Sequence, residues 1–585
     1  MDILLALAEE GLCSQRELAK RCGCSLGAVN SGLKHLEMLG YLDKNGGLTQ
    51  LAYQLMKETK PQKAIILAAG FGMRIVPINL DTPKAFLKVH DEYLIERLIR
   101  QLHEAGISDI YIVVGFMKEL FEPLIDEYGV ELIVNSQFSH KNNLHSLALA
   151  SEHLENTYII PGDLWCQKNP FRRQELYTWY MVNDTFSNSS TVRLNRKQEL
   201  VQSIGGNTML GICYLAGNSG TALGNKLKKM VKDPRFDNAF WESALFDDKD
   251  CSIAGRLVET TDVKDVNTYE QLREIDNGSE QLKNDAIRAI TQSLNASAEE
   301  IKDITVLKKG MTNRSFLFSC RNKKYIMRIP GEGTDLLINR SQEASVYNVI
   351  QNRAICDDVI YINPDNGYKI TKYWHGARVC NPNNLQDLEV CMDALRTLHS
   401  QRLKVDHTFD IFAMINFYES LWGGVPSRYK DYSTTKENVF RLQDYISSHA
   451  EPHCLTHIDA IPDNFLLIPD SDGGETVRLI DWEYSGMQDP HVDISMFCIY
   501  SLYKRNQVDK LIDIYFQGKC TEQTRIKIYC YIAACGLLWS NWCEYKSHLG
   551  VDFGEYSLRQ YRYAKDYYRI VAEQLEKRND KTCIV

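Results

Sequence analysis

The segment Lys63-Ala64-Ile65-Ile66 reads as a buried strand. It runs directly into Leu67-Ala68-Ala69-Gly70-Phe71-Gly72-Met73-Arg74, with Pro83-Lys84 a few residues later. A strand that leaves through a glycine-rich turn lets backbone N–H groups approach phosphates with no Cβ in the way. Arg74 and Lys84 supply cations for a triphosphate. The run has no Gly-Lys-Ser/Thr ending, so it is not a P-loop, and its glycine spacing is not that of a dinucleotide fingerprint.

A second constellation follows about 375 residues downstream. His457-Ile458-Asp459-Ala460-Ile461-Pro462-Asp463-Asn464 precedes Leu479-Ile480-Asp481-Trp482-Glu483. The pattern is H-x-D-x-x-x-x-N, then an apolar strand ending in Asp. Phosphoryl transfer needs these residue types: one Asp to accept or orient a substrate hydroxyl, and an Asn with a second Asp to hold Mg²⁺ on ATP phosphates.

The 585 residues suggest several domains, and three segments separate. Residues 1–58 read as short helices with a wing-like turn over Asp43-Lys44-Asn45-Gly46-Gly47-Leu48-Thr49. Ser14-Gln15-Arg16-Glu17 has a capping-box pattern, and Ser25 caps the next helix. Residues 62–275 alternate strands and helices, which implies a doubly wound, mostly parallel sheet with its site at the strand C-termini. Residues 276–300 are polar and helical and read as a linker. Residues 301–585 begin with short strands and turn helical after Leu395, a two-lobed plan. The fold class is therefore multidomain α/β and α+β.

Composition narrows the setting. A net charge of −9 argues against a general nucleic-acid binder. The 17 cysteines are scattered without Cys-x-x-Cys pairs and read as reduced thiols, which suggests a cytoplasmic protein. The apolar run Ile528–Trp539 is too short to span a bilayer. The N-terminus lacks a signal-peptide pattern.

The first motif resembles the signature of sugar-phosphate nucleotidyltransferases, in particular the choline-phosphate cytidylyltransferase branch. That resemblance places Leu67, Ala68, Ala69, Gly70 and Gly72 on the nucleotide, with Arg74 and Lys84 catalytic. Asn142-Asn143-Leu144-His145-Ser146-Leu147 resembles the branch's N-N-x-x-S stretch, so Asn143 and Ser146 are expected near the base and ribose. Asp163, at the end of the strand Tyr158–Asp163, and Asp265 are the expected metal ligands. Asn267 stands where the family usually has a second acid. Phe240-Trp241-Glu242 resembles the triplet lining a phosphocholine pocket, where π faces and a carboxylate meet a quaternary ammonium.

The second motif resembles the choline and aminoglycoside kinases. Asp459 is the expected catalytic residue, and Asn464 and Asp481 the Mg²⁺ ligands. Thr312 and Asn313 fall in the loop that covers the nucleotide. Arg328 takes the place of the strand lysine of protein kinases, with Glu343 its partner. Trp539 and Trp542, three apart on a helix, and Tyr563 resemble the choline cage, with Glu483 and Asp489 supplying negative charge.

Together the resemblances imply a bifunctional enzyme using ATP, CTP and Mg²⁺ to convert choline to phosphocholine and then to CDP-choline. A sugar or ethanolamine kinase/nucleotidyltransferase fusion, and a regulator sensing CDP-choline through degenerate enzyme domains, are the alternatives. Residues 1–58 resemble a winged helix-turn-helix, which implies DNA as a partner. Their acidic and basic side chains balance, so docking or dimerisation is the alternative role.

Overall fold

The amino-terminal helices are α1 (Asp2–Glu10), α2 (Gln15–Arg21), α3 (Leu26–Met38) and α4 (Gln50–Glu58), and side-chain caps open the last three. The side chains of Ser14, Ser25 and Thr49 each accept a backbone N–H from the first turn of α2, α3 and α4. Between α3 and α4 the Asp43 carboxylate accepts the N–H groups of Asn45 and Gly47, both at 2.8 Å, and Leu42 bridges Leu48. This is the winged helix. The computed structural model describes all residues except 1, 12, 71–76, 78–81, 247–252, 308–312, 332, 333, 335, 471, 552 and 578–585. The expected residues Gly72, Arg74 and Thr312 lie outside the described set. The chain divides into two units, Met1–Arg288 and Ala289–Val585.

The winged helix shares the first unit with the transferase fold, and a polar seam joins them. The Thr59 hydroxyl donates to the Glu175 carbonyl at 2.8 Å, the Gln174 amide to the Met56 carbonyl at 2.7 Å, and the Tyr214 hydroxyl to the Thr59 carbonyl. Leu176 packs into the same apolar cluster as Leu4, Leu18, Val29 and Leu36.

The transferase sheet contains β1 (Lys63–Ala68), β2 (Asp109–Val114), β3 (Glu131–Val134) and β4 (Thr157–Pro161), all parallel, with α5 (Leu94–Glu104) covering one face and α6 (Asn143–Leu149) the other. After β4 come β5 (Leu164–Cys166), β6 (Trp179–Ser187), β7 (Val192–Leu194), β8 (Glu199–Gln202) and β9 (Gly206–Leu215). Helix α7 (Asn218–Met230), the short α8 (Glu242–Leu245), β10 (Ile253–Val258) and β11 (Val263–Asp265) complete the fold. The sheet order is β3-β2-β1-β4-β9-β6-β10-β8-β7. The sheet is thus mixed rather than mostly parallel, because β9 runs antiparallel to both β4 and β6. Strands β6 to β9 follow one another without an intervening helix, and a parallel pairing needs a crossover of a dozen residues or more. The doubly wound half, β1 to β4, carries the cleft.

The stretch expected as a linker begins packed on this unit. Gln281 accepts the Lys88 N–H at 2.8 Å, and a helix follows over Asp285–Leu294.

In the second unit β12 (Ile301–Val306), β13 (Asn313–Cys320), β14 (Lys323–Pro330), β15 (Val359–Ile362) and β16 (Lys369–Lys372) form an antiparallel sheet ordered β12-β13-β14-β16-β15. Helix α9 (Arg340–Ile350) packs beside it. The helical lobe contains α10 (Leu385–Ser400), α11 (Ile411–Ser420), α12 (Tyr432–His449), α13 (His491–Tyr500), α14 (Arg505–Phe516), α15 (Glu522–His548) and α16 (Glu555–Lys577). Helix α15 is buried from Ile526 to Lys546, so it is the core of this lobe rather than an amphipathic surface helix. Among the described residues no helix is long and apolar enough to cross a membrane.

Two candidate active sites

Strand register brings the first site together. Leu67 of β1 lies opposite Val113 of β2 and Pro161 of β4, so the turns leaving these strands share one edge. There a cleft of about 490 Å³ is lined by Leu67, Ala68, Ala69, Gly70, Lys84, Asn143, Ser146 and Asp163 among others. Space is tight at Gly162, beside Asp163: a Cβ there would meet the Ala68 Cβ at 3.0 Å and the Leu67 carbonyl at 3.2 Å. Lys84 Nζ lies 3.1 Å from Asp163 Oδ2 and also donates to the side-chain carbonyl of Asn267. The Asn267 amide donates in turn to Asp265. Strand β11 pairs with β5, placing Asp265 opposite Leu164, so Asp163 and Asn267 meet on one lysine from two chain segments with Asp265 bonded behind Asn267.

The N-terminus of α6 is stitched to the segment before α8. Asn143 accepts the Trp241 N–H at 2.9 Å, Asn142 N–H donates to the Asp237 carbonyl at 2.7 Å, and the Asn135 amide donates to Ser146 at 3.0 Å. The structure does not assemble Phe240, Trp241 and Glu242 into a cage. Phe240 is exposed, and Trp241 is fully buried in the core against Tyr180. Glu242 accepts from the Tyr180 hydroxyl at 3.1 Å, and its Oε2 is enclosed with no hydrogen-bond partner among the described residues. Burial raises the Glu242 carboxyl to about 7. An alternating aromatic-aromatic-acid triplet fits a pocket wall and a core edge equally well, which is why the sequence pattern misplaces Trp241.

The second site is a cavity of about 540 Å³, lined by Asn313, Arg328, Asp459, Asn464, Asp481, Glu483, Trp539 and Trp542 with further residues. Arg328 makes a two-pronged pair with Glu343, at 2.5 and 2.8 Å, and reaches Asp481 at 3.3 Å. That fork geometry is what a guanidinium offers and an ammonium does not. Both residues are buried. Arg328, with Lys369 and Arg340, holds the Glu343 carboxyl below its usual range against the opposing effect of burial.

The Asn464 side-chain amide donates to the Asp459 carbonyl at 2.9 Å and to its carboxylate at 3.0 Å. Burial, then the nearby carboxylates of Asp481 and Glu483, push Asp459 up to about 8. Such a crowd of carboxylates is electrostatically suited to a divalent cation. Glu483 accepts from Asn313 at 2.9 Å and from Arg340 at 3.3 Å, which ties the sheet lobe to the catalytic lobe.

The loop that carries Asp459 is strained and held. Ile458 and Asp481 both adopt φ of +66°, unusual for residues with a Cβ and most of all for β-branched isoleucine. The buried Asp493 carboxylate accepts the N–H groups of His457 and Ile458 at 3.0 and 2.7 Å. Sequence reading missed Asp493; its position two residues into α13, after the Asp-Pro of 489–490, was the available sign.

The aromatic wall consists of Tyr484, Tyr500, Trp539, Trp542 and Tyr556. The two indoles meet edge-to-face with centroids 5.4 Å apart. The Tyr484 hydroxyl and the Trp542 N–H are enclosed and have no hydrogen-bond partner among the described residues. Tyr563 is not part of this wall: it is buried, and its hydroxyl donates to the Tyr503 carbonyl at 2.7 Å. Tyr556, two turns earlier on α16, is the residue that reaches the cavity. Asp489 is also elsewhere, in a buried ion pair with Lys527 at 2.7 Å. Trp482 is core, its indole donating to the Leu479 carbonyl at 2.9 Å.

Comparison with known proteins follows this division. The family models for choline/ethanolamine kinase, a MobA-like NTP transferase domain and a winged helix-turn-helix DNA-binding domain match residues 304–531, 64–173 and 1–43. A choline-phosphate cytidylyltransferase of Streptococcus pneumoniae is 31% identical over 230 residues, covering 38% of this chain and 99% of the relative. The LicA protein of Haemophilus influenzae is 26% identical over 265 residues, covering 43% of this chain and 96% of the relative. The crystal structure of choline kinase LicA from Streptococcus pneumoniae superposes with a TM-score of 0.42 at 27% identity, over 48% of this chain and 98% of that one. The chain belongs to the choline-phosphate cytidylyltransferase family and carries on the same polypeptide a choline/ethanolamine kinase domain and a winged helix.

Proposed function

We propose that this chain makes CDP-choline in two steps: its kinase domain phosphorylates choline with ATP, and its transferase domain moves CMP from CTP to the phosphocholine. The observation that carries the reading is the kinase cavity, where an aromatic wall of Trp539, Trp542, Tyr484 and Tyr556 stands beside Asp459. A quaternary ammonium has no N–H to donate and is bound by π faces, while its hydroxyl can reach a carboxylate. Ethanolamine would rather pair its ammonium with hydrogen-bond acceptors.

In the kinase, Asp459 orients and accepts the proton of the substrate hydroxyl, and Asn464 fixes the Asp459 side chain. Arg328, aligned by Glu343, faces the phosphates. Among the described residues no set of three or more His, Cys, Asp or Glu is arranged as a metal cage. Mg²⁺ takes one or two protein ligands and completes its shell with phosphates and water. Asn464 and Asp481 would hold it here, and Asp163 with Asp265 in the transferase; bound there, the cation supplies charge neutralisation. In the transferase, Lys84 neutralises charge beside Asp163, and Asn143 and Ser146 contribute to the nucleotide cleft. A phosphocholine oxygen attacks the α-phosphorus in line and pyrophosphate leaves. On this reading the transferase domain is residues 62–275 and the kinase domain residues 301–585, with the winged helix hydrogen-bonded to the transferase through Thr59 and Gln174.

The test is incubation of the purified chain with Mg²⁺, ATP, CTP and choline, with products followed by mass spectrometry. CDP-choline that depends on both nucleotides, and that Asp459→Ala abolishes unless phosphocholine is supplied, is the expected result. Phosphocholine without CDP-choline would reduce the transferase domain to a sensor, and preference for ethanolamine in competition would reassign the substrate. For the winged helix, salt-dependent duplex binding by the full chain would support DNA as partner, and no binding at low salt would exclude it.

A further inference from the structure

We infer that Tyr347, Lys369 and Asp357 form a positioning relay that fixes α9 against the kinase sheet, so that Glu343 keeps Arg328 aimed into the nucleotide cavity. The starting point is an electrostatic problem. Arg328 on β14 and Lys369 on β16 are direct cross-strand partners, and both are buried. Like charges opposite one another repel, and burial strengthens the repulsion. Each cation is met by an acceptor from one helix. Glu343 takes Arg328, and Tyr347, one turn further along the same face of α9, takes Lys369 Nζ on its hydroxyl oxygen at 2.6 Å.

The relay closes on itself. The Tyr347 hydroxyl donates to Asp357 Oδ1 at 3.0 Å, and Asp357 Oδ2 lies 3.2 Å from Lys369 Nζ. The ring sits in the large core cluster of this unit, so the phenol joins an apolar body to a polar tip. Burial, with the Asp357 and Glu343 carboxylates, holds the phenol neutral by raising its pKa well above the ordinary value. A neutral hydroxyl can accept from lysine and donate to aspartate at once. Lys369 and Asp357 line the same cavity as Arg328 and Asp481. Without the hydroxyl, Lys369 and Asp357 still pair, but α9 loses its polar tie to them. Glu343 is then placed only by its own pairs with Arg328 and Arg340, and Arg328 is aimed less tightly. A small misplacement of a phosphate-facing cation is costly in rate.

The test uses Tyr347→Phe in the full chain, which keeps the ring and removes one oxygen. ATP affinity by calorimetry and kinase kinetics with ATP and choline varied separately are the readouts. The expected result is a loss in kcat/KM for ATP on the order of tenfold, or about 1.4 kcal/mol, with KM for choline unchanged. Cytidylyl transfer to supplied phosphocholine by the same molecules should match wild type. Asp357→Asn, which retains an acceptor for the hydroxyl, should lose less than Tyr347→Phe. Unchanged ATP binding and kinetics in Tyr347→Phe would overturn the relay. So would a variant in which ATP and choline constants worsen together with a falling thermal midpoint, because that is general loosening. Calorimetry reads the relay even if the phosphorylated substrate proves to be ethanolamine, so the relay and the choline assignment fail separately.

Discussion

The carboxylate of Asp493 accepts the backbone N–H of Ile458 at 2.7 Å, one residue before Asp459. Its other oxygen accepts the His457 N–H and lies 3.0 Å from His399 Nε2. A strained residue at φ +66° is thereby held from beneath by a buried charge. Asp493→Asn retains one acceptor and loses the charge. Kinase kcat should fall by about 10² through misplacement of Asp459, and unfolding of this unit should become easier by about 2 kcal/mol. Steady-state kinetics with denaturant titration checks both; intact kcat would show that the loop holds its shape unaided.

Tyr556 and Tyr563 share a face of α16 and differ in duty. Tyr556→Ala should raise KM for choline about tenfold, matching a cation–π contact of roughly 1–2 kcal/mol. Tyr563→Phe should leave KM unchanged and lower the thermal midpoint, since it deletes only the hydrogen bond to Tyr503. A choline KM that follows Tyr563 instead would return the cage to its expected position.

Asn267 occupies the position of a second acid and joins Lys84 to Asp265. Asn267→Asp adds a carboxylate beside Asp163. The Mg²⁺ concentration for half-maximal cytidylyl transfer should drop several-fold, about 1 kcal/mol of added charge interaction, while the Mg²⁺ dependence of the kinase stays put. Titrating Mg²⁺ against each activity separately gives the answer.

Glu242 gives the first unit a pH signature. Burial raises its carboxyl from 4.5 to about 7, so the folded state binds more protons than the unfolded state between those values. Stability from this group is present below about 4.5 and is lost as pH rises through about 7. Glu242→Gln, which cannot ionise, should therefore be more stable than wild type at pH 8 and nearly equal at pH 4.5. Thermal unfolding across that range, followed for the first unit, decides it; parallel curves would mean that Glu242 ionises normally.

What could be read in the sequence was whatever chemistry ties to fixed spacing. Asp459 and Asn464 sit on one short loop, and at that separation the Asn464 side chain reaches Asp459. The Arg328–Glu343 pair was legible for a similar reason, strand to next helix. Of the wall residues, Trp539 and Trp542 were legible and Tyr556 was not, because a helix face repeats: Tyr556 and Tyr563 satisfy the same periodicity, and only packing chooses between them. Asp489 and Asp493 show the same ambiguity. Both are buried acids beside the motif, but Lys527 neutralises one and backbone N–H groups take the other. The antiparallel half of the transferase sheet was hidden because strand propensity carries no direction; the missing crossover helices carried it.

The seam at Thr59 makes the amino terminus part of the transferase domain's own packing. Without the first 61 residues the Tyr214 hydroxyl would keep only the longer contact to Asn156 at 3.5 Å, the Glu175 carbonyl would lose the Thr59 donor, and Leu176 would lose its apolar cover. Residues 174–177 and 214 thus belong to two domains at once: side chains outside the nucleotide cleft bind the amino terminus to the domain that carries it.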